Sequence, residues 1–135
     1  MATLFAKIKV LEGKEAAFED VTRALGAKTE EEKGCQLYAY FRAPEPRVYY
    51  CLLVFDSYAD FLIHQTSEHH ETLITPRVDE LFEAFETQWL GGVEAASVGP
   101  VTEHQSPGEK AAEREVFYAT VMPAVVQNWW LSLRK

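Results

Sequence analysis

The most constraining part of the chain is residues 48–70, which read VYYCLLVFDSYADFLIHQTSEHH. The first part of this segment, Val48 to Phe55, is almost wholly apolar, β-branched or aromatic. A run of this kind is typical of a strand that is covered on both faces, whereas apolar and polar residues alternate in a strand that has one face in water. We therefore predict a strand in the middle of a sheet.

A short helix is predicted directly after this strand. The hydroxyl of Ser57 is placed to accept a hydrogen bond from the backbone N–H of Asp60, which favours a helix over residues 58–64. Ser67 is a second possible cap, for a further turn. Two histidines five positions apart, His64 and His69, lie at the end of this unit.

The chain before this segment has the pattern of a strand, a helix and a strand. Residues 3–10 alternate, residues 14–32 place Phe18, Val21 and Leu25 at helical spacing, and residues 35–41 alternate again. The loop RAPEPR then predicts a hairpin in which Phe41 pairs with Val48. That register gathers several aromatic side chains and one thiol on one sheet face: Tyr38, Tyr40, Tyr49, Cys51 and Phe55.

After the histidines, an amphipathic helix and a last strand are predicted. Val78, Leu81, Phe82 and Phe85 recur at i, i+3, i+4 and i+7, which is typical of a helix. Residues 88–98 then form the last strand, with a bulge or close approach at its two glycines.

The order β, α, β, β, α, β predicts an α+β fold, a ferredoxin-like split βαβ sandwich over residues 1–98. Because one sheet face carries no helices yet its central strand is apolar, we expect a second copy to cover it in a homodimer. Residues 99–135 are predicted to be a linker and a helical extension that packs on the domain or on the dimer partner, since residues 116–133 are too apolar to stay in water.

The composition excludes several classes of protein. A chain of 135 residues that is 47% apolar and 25% charged is a single globular domain, and it contains no stretch long and apolar enough to span a membrane. A net charge of −8 with scattered basic residues argues against nucleic acid or a membrane surface as partner. The start MATLFAKIKV has no signal-peptide pattern, and Cys35 and Cys51 lack CxxC spacing, so we expect reduced thiols and a cytoplasmic location.

Three stretches carry a resemblance to a known family: AKIKVLEGKEAAFE, EEKGCQLYAYF and LLVFDSYADFLIHQTSEHH. Their order and spacing resemble the antibiotic biosynthesis monooxygenases, which include quinol monooxygenases. The resemblance implies a dimeric α/β barrel that oxidises phenolic or quinol rings with molecular oxygen and no flavin, metal or haem. We therefore expect a cofactor-independent monooxygenase with a small aromatic ligand.

Such chemistry needs a base and an apolar pocket, and the sequence offers candidates for both. His64 or His69 could take a phenolic proton, and Tyr38, Tyr40, Tyr49 and Phe55 could bind the substrate. His64 could instead cap a helix end, and an aromatic stripe on a strand is often core. We expect no metal site, because the run from Glu68 to Glu71 does not place two histidines on one helical face, and we expect His70 to be exposed.

Two other functions remain open at this point. The same fold could serve as a non-catalytic dimeric module for small-ligand binding or stress response, because a fold does not fix a function. The same histidines could also serve an isomerase or cyclase, which needs acid–base chemistry but no oxygen.

Overall fold

The computed structural model describes residues 1–93. Within this range the chain forms four strands and a set of short and long helices. In chain order these are β1 (Ala2–Val10), α1 (Glu15–Thr29), β2 (Cys35–Arg42), β3 (Val48–Phe55), α2 (Tyr58–Gln65), α3 (Glu68–Leu73), a 3-10 turn (Thr75–Arg77), α4 (Val78–Leu81) and β4 (Phe82–Leu90).

The strands form one antiparallel sheet in the order β2-β3-β1-β4. β3 lies between two neighbours, so the predicted central strand is confirmed. The two helical connections each cross over one intervening strand, which is the split βαβ arrangement of the ferredoxin-like fold. The predicted α+β fold class is therefore confirmed.

The first half of the chain forms as predicted. The even-numbered residues of β1 are buried and the odd-numbered ones are half-buried. Phe18, Val21 and Leu25 of α1 are buried against the sheet and the later helices. Ser57 caps α2, since its Oγ accepts from the Asp60 N–H at 3.1 Å.

The predicted hairpin register is wrong by two residues. Phe41 pairs with Tyr50, and Tyr40 pairs with Cys51. The ladder continues closer to the turn than expected, because the N–H of Ala43 still donates to the carbonyl of Val48 at 2.9 Å. A slip of two keeps every side chain on its face, so Tyr38 and Tyr40 still point to the helices.

An irregularity near the start of β2 changes the face of one residue. The register shifts between Cys35 and Leu37, so that Cys35 pairs with Phe55 and Leu37 with Val54. Cys35 therefore packs with the core on the helix side, while Leu37 stays on the opposite face. The prediction that these two residues share a face is wrong.

The predicted helix through Phe85 and the predicted strand start at residue 88 are also wrong. α4 ends at Leu81, and β4 begins at Phe82. The register of β4 against β1 shifts between Lys9 and Val10, so Val10 pairs with Phe82 and Ile8 with Phe85. Both phenylalanines thereby pack against the same core cluster although they lie three positions apart, a spacing that imitates a helix.

The remaining predictions concern the end of the chain. β4 ends at Leu90, so Gly91 and Gly92 lie after the described part of this strand. The predicted strand residues 94–98, the linker and the helical extension over 99–135 lie outside the described residues. No helix within residues 1–93 is long and apolar enough to cross a membrane.

Candidate functional site

A single carboxylate joins the two histidines that the sequence singled out. Oε1 of Glu32 lies 3.1 Å from Nδ1 of His64 and 2.6 Å from Nε2 of His69. The carboxylate oxygen can accept a hydrogen bond from both rings. The structure therefore brings His64 and His69 together through a residue that sequence analysis missed.

Three separate pieces of backbone hold this cluster. Glu32 lies in the turn after α1, and its N–H donates to the carbonyl of Thr29 at 3.0 Å. His64 is in the last turn of α2, and His69 is in the first turn of α3. Between them Ser67 caps α3 and also donates from Oγ to the carbonyl of His64 at 2.7 Å. This break between the helices lets residues five apart face one carboxylate.

The two histidines differ in exposure. The His64 side chain is fully buried, with its ring centroid 5.1 Å from that of Tyr38 and 5.2 Å from that of Phe55. Its Nε2 atom has no hydrogen-bond partner among the residues described. The His69 side chain is 21% exposed, so it connects the cluster to solvent.

The expectation that His70 is exposed is wrong. It is 4% exposed, its ring centroid lies 5.1 Å from that of His64, and Nδ1 lies 3.2 Å from Oγ1 of Thr75. Burial penalises its charged form, and His64 and His69 add to this effect, so the pKa of His70 falls to about 3. Its imidazole is therefore neutral at physiological pH.

A cavity of about 40 Å³ lies between the helices and the sheet; Glu32, His64 and His69 do not line it, but Tyr38 and His70, whose rings lie against that of His64, do. Most of its wall is apolar, from residues such as Leu4, Ala6 and Leu25. Its polar wall residues come from the sheet and from α2 and α3: Tyr38, Tyr40, Gln65, His70 and Thr87. The lining, mostly apolar with a few convergent polar groups, is that of a small-molecule site, whereas the volume is well below the few hundred Å³ that is usual for one.

Two of these polar groups are buried without a partner in the described part of the chain, namely Gln65 Oε1 and Thr87 Oγ1. Buried polar atoms are nearly always hydrogen-bonded in folded proteins. The two atoms therefore mark positions where a bound molecule or water would complete the hydrogen bonding. No sequence pattern marks either residue, because their importance arises only from the packing around them.

The four predicted substrate-binding residues fall in different places. Tyr38 and Tyr40 line the cavity, and their hydroxyls lie 3.0 Å apart. Burial raises the pKa of both well above the ordinary value, so both hydroxyls keep their protons. Phe55 packs on His64 and Phe61.

Tyr49 lies away from the cavity. Its hydroxyl donates to Oε1 of Glu19 at 2.9 Å, and its ring centroid lies 4.6 Å from that of Phe18. It lines instead an open surface groove with Glu19 and Arg42. The two cysteines are unpaired, and burial raises the pKa of Cys51, in the cavity wall, to about 12.

Comparison with known proteins identifies the family of this chain. The family described as antibiotic biosynthesis monooxygenase matches residues 1–75, more than half of the chain and all of the elements that hold the histidine cluster. The chain belongs to the antibiotic biosynthesis monooxygenase family. No protein of curated function matches the sequence.

Solved structures show the same fold. A protein from Caulobacter crescentus, named for the same family, is 27% identical with a TM-score of 0.64, covering 69% of this chain and 90% of that one. A protein from Pseudomonas aeruginosa is 26% identical with a TM-score of 0.62, covering 66% and 90%. A protein from Mycobacterium tuberculosis, 18% identical with a TM-score of 0.64 and coverage of 71% and 98%, shares the fold.

Proposed function

We propose that the protein is a cofactor-independent monooxygenase that acts on a small phenolic or quinol compound. The observation that carries this proposal is the Glu32 carboxylate, bonded to two histidines beside a cavity with aromatic walls. Membership of the monooxygenase family supports the same reaction class.

In this proposal His64 is the base. When its Nδ1–H donates to Glu32, the proton-accepting lone pair lies on Nε2, the atom that has no partner among residues 1–93. A carboxylate bonded to an imidazole fixes the tautomer and stabilises the imidazolium that forms when the ring takes a proton. Glu32 is thus a positioning residue for His64.

His69 would exchange the proton with solvent. It bonds to the same carboxylate oxygen and is partly exposed, whereas His64 is enclosed. A proton taken at His64 could therefore leave the site without a change in the fold. This division of roles accounts for two histidines of unequal burial on one carboxylate.

The proposed reaction oxidises the substrate ring with dioxygen. Removal of the phenolic proton gives an electron-rich ring, which reacts with dioxygen at a ring carbon. A C–O bond forms, the attacked ring carbon loses its hydrogen as a proton, and the O–O bond breaks. One oxygen atom stays on the ring as a carbonyl, while the other takes the ring proton and the phenolic proton and leaves as water. The ring is oxidised to a quinone by two electron pairs, and the apolar wall keeps bulk water from the anion.

The polar cavity atoms would orient the substrate. The second hydroxyl group of a quinol, the one that does not give its proton to His64, can donate to Gln65 Oε1 and accept from the Thr87 hydroxyl, which would satisfy both unpartnered atoms. The cavity is smaller than an aromatic ring, so a substrate must displace side chains in its wall to bind.

Oxygen consumption with a panel of hydroquinones and naphthols tests the proposal, with labelled dioxygen to follow the atom that enters the ring. Glu32→Gln should lower kcat by up to about 10⁴-fold, because the loss of a carboxylate that orients a catalytic imidazole can cost that much, with little change in melting temperature. Glu31→Gln is the matched control, because Glu31 is an exposed neighbour that contacts Lys28 instead.

The outcomes separate this function from its rivals. No oxygen uptake with any compound, together with saturable binding of one, would favour a binding module. Turnover without oxygen uptake would favour an isomerase or cyclase. His64→Ala and His69→Ala should not affect the rate equally, and equal small losses explained by lower stability would contradict the assignment of a base.

A further inference from the structure

We propose that Glu32, His64 and His69 form a binding site for one divalent transition-metal ion, such as Zn²⁺. One ligand atom from each side chain lies within 4.8 Å of the other two. Two imidazole nitrogens and one carboxylate oxygen are ligands that Zn²⁺ and its neighbours in the first transition series favour.

An ion requires the cluster to rearrange. Glu32 Oε1 lies 3.1 Å from His64 Nδ1 and 2.6 Å from His69 Nε2, and the three ligand atoms lie within 4.8 Å of one another. Ligands at about 2.0–2.2 Å from a central Zn²⁺ lie roughly 3.3–3.6 Å from each other in a tetrahedral site. Oε1 must therefore move away from both nitrogens while the nitrogens approach each other, a movement that the partly exposed His69 side chain can make while the buried His64 stays in place.

The charge of the cluster and its exposure to solvent also suit a cation. The Glu32 carboxylate supplies an anionic ligand, and the partial exposure of Glu32 and His69 gives an ion a path from solvent. The His64 ring is held between Tyr38 and Phe55, so one ligand is fixed before the ion arrives. Three protein ligands leave a fourth position for water.

The site implies a means of control, and this part rests on the proposed function. An ion on Nδ1 of His64 moves the ring proton to Nε2, the atom that serves as base in that proposal. Metal and substrate proton therefore compete for the same imidazole. We expect Zn²⁺ to inhibit oxygen consumption and a chelator to restore it.

Cobalt titration of the full chain without substrate tests the site directly. We expect one Co²⁺ ion to bind per chain and to show the visible d–d absorption of an ion with a low coordination number. Zn²⁺ should then displace the Co²⁺. His69→Asn should weaken binding about tenfold or more, since even loss of an outer partner of a metal ligand costs that much. Glu31→Gln should bind as the unchanged chain does.

Absence of the cobalt spectrum, or equal affinity in His69→Asn and the unchanged chain, would overturn the metal site. A second variant, Glu32→Gln, covers the case in which His69→Asn does not fold. The proposed function is tested separately, because the cobalt titration is read without substrate, whereas oxygen consumption is measured on the unchanged chain in chelator. A chain that binds Co²⁺ but consumes no oxygen in chelator would contradict only the proposed function.

Discussion

Gly34 lies so close to Asp60 that a Cβ at residue 34 would be 2.5 Å from the Cβ of Asp60. Real Cβ atoms do not approach this closely, so the turn after α1 can meet the start of α2 only because residue 34 has no side chain. The Asp56 N–H also donates to the carbonyl of Gly34 at 2.8 Å. The same turn carries Glu32, and α2 carries His64, so this contact joins the two segments that bear these residues.

Gly34→Ala should therefore lower the free energy of unfolding by about 1–3 kcal/mol, the usual cost of overpacking. Urea unfolding measures it. Gly26→Ala is the matched control, because Gly26 lies inside α1 with its nearest neighbour, Tyr38 Cδ1, 4.0 Å from the new Cβ. That substitution should raise the free energy of unfolding by about 0.5–1 kcal/mol. Equal effects of the two would contradict the close contact.

Local pattern predicted the elements whose periodicity is regular. The strand period predicts β1, the helix period predicts α1, the unbroken apolar run predicts β3, and the cap at Ser57 predicts α2. The segment from Phe82 to Phe85 could not be identified in this way, because a register shift in β4 gives two strand residues the spacing of a helix. The segment forms a strand and not a helix because it pairs with the edge of β1, a long-range contact that the local pattern does not show.

The sequence predicts only part of the candidate site, again because long-range packing decides the rest. Spacing indicated His64 and His69, but Glu32 is the last of three consecutive glutamates, and sequence alone does not tell which one turns inward. His70 follows His69 on α3, where neighbours point about 100° apart, so one faces the carboxylate and the other the cavity. Tertiary packing decides both cases.

Thr87→Val tests the unpartnered hydroxyl in the cavity. Replacing a buried hydroxyl that lacks a partner by a methyl group removes a desolvation cost, so the free energy of unfolding should stay equal or rise by about 1 kcal/mol. Thr29→Val is the control, because the buried Thr29 hydroxyl donates to the Leu25 carbonyl at 2.8 Å and its loss should cost about 1 kcal/mol. Thermal unfolding compares them. Destabilisation by Thr87→Val as large as that by Thr29→Val would contradict the prediction.

Glu19 should give the fold a dependence on acid. Hydrogen bonds from Arg42 and Tyr49 lower the pKa of Glu19 from 4.5 to about 2. Because the folded chain holds the ionised form more strongly than the unfolded chain, this contribution is present above pH 4.5 and is lost as the pH falls toward 2. Glu19→Gln should flatten the decline of stability in that window, as measured by urea unfolding at several pH values. In an Arg42→Gln background the same substitution should change the decline less, and an equal change there would contradict the pairing.

The apolar side chains on the sheet face opposite the cavity predict a homodimer. Phe5 and Tyr50 stack on this face with ring centroids 5.3 Å apart, and Leu37 and Phe41 beside them are 40% and 54% exposed. The clusters that join the helices to the sheet lie on the other face. An apolar surface of this kind is typical of an interface, and a second copy offers a matching one.

Sedimentation at micromolar concentration measures the dimer, which should have twice the 15.3 kDa mass of the chain. Phe41→Lys should shift the equilibrium toward monomer, because a buried interface would have to desolvate the new ammonium group. Ile63→Lys is the matched control, since Ile63 is 48% exposed on α2, away from this sheet face, and its substitution should leave the dimer intact. A monomer in the unchanged chain, or equal effects of the two lysines, would contradict an interface on this face.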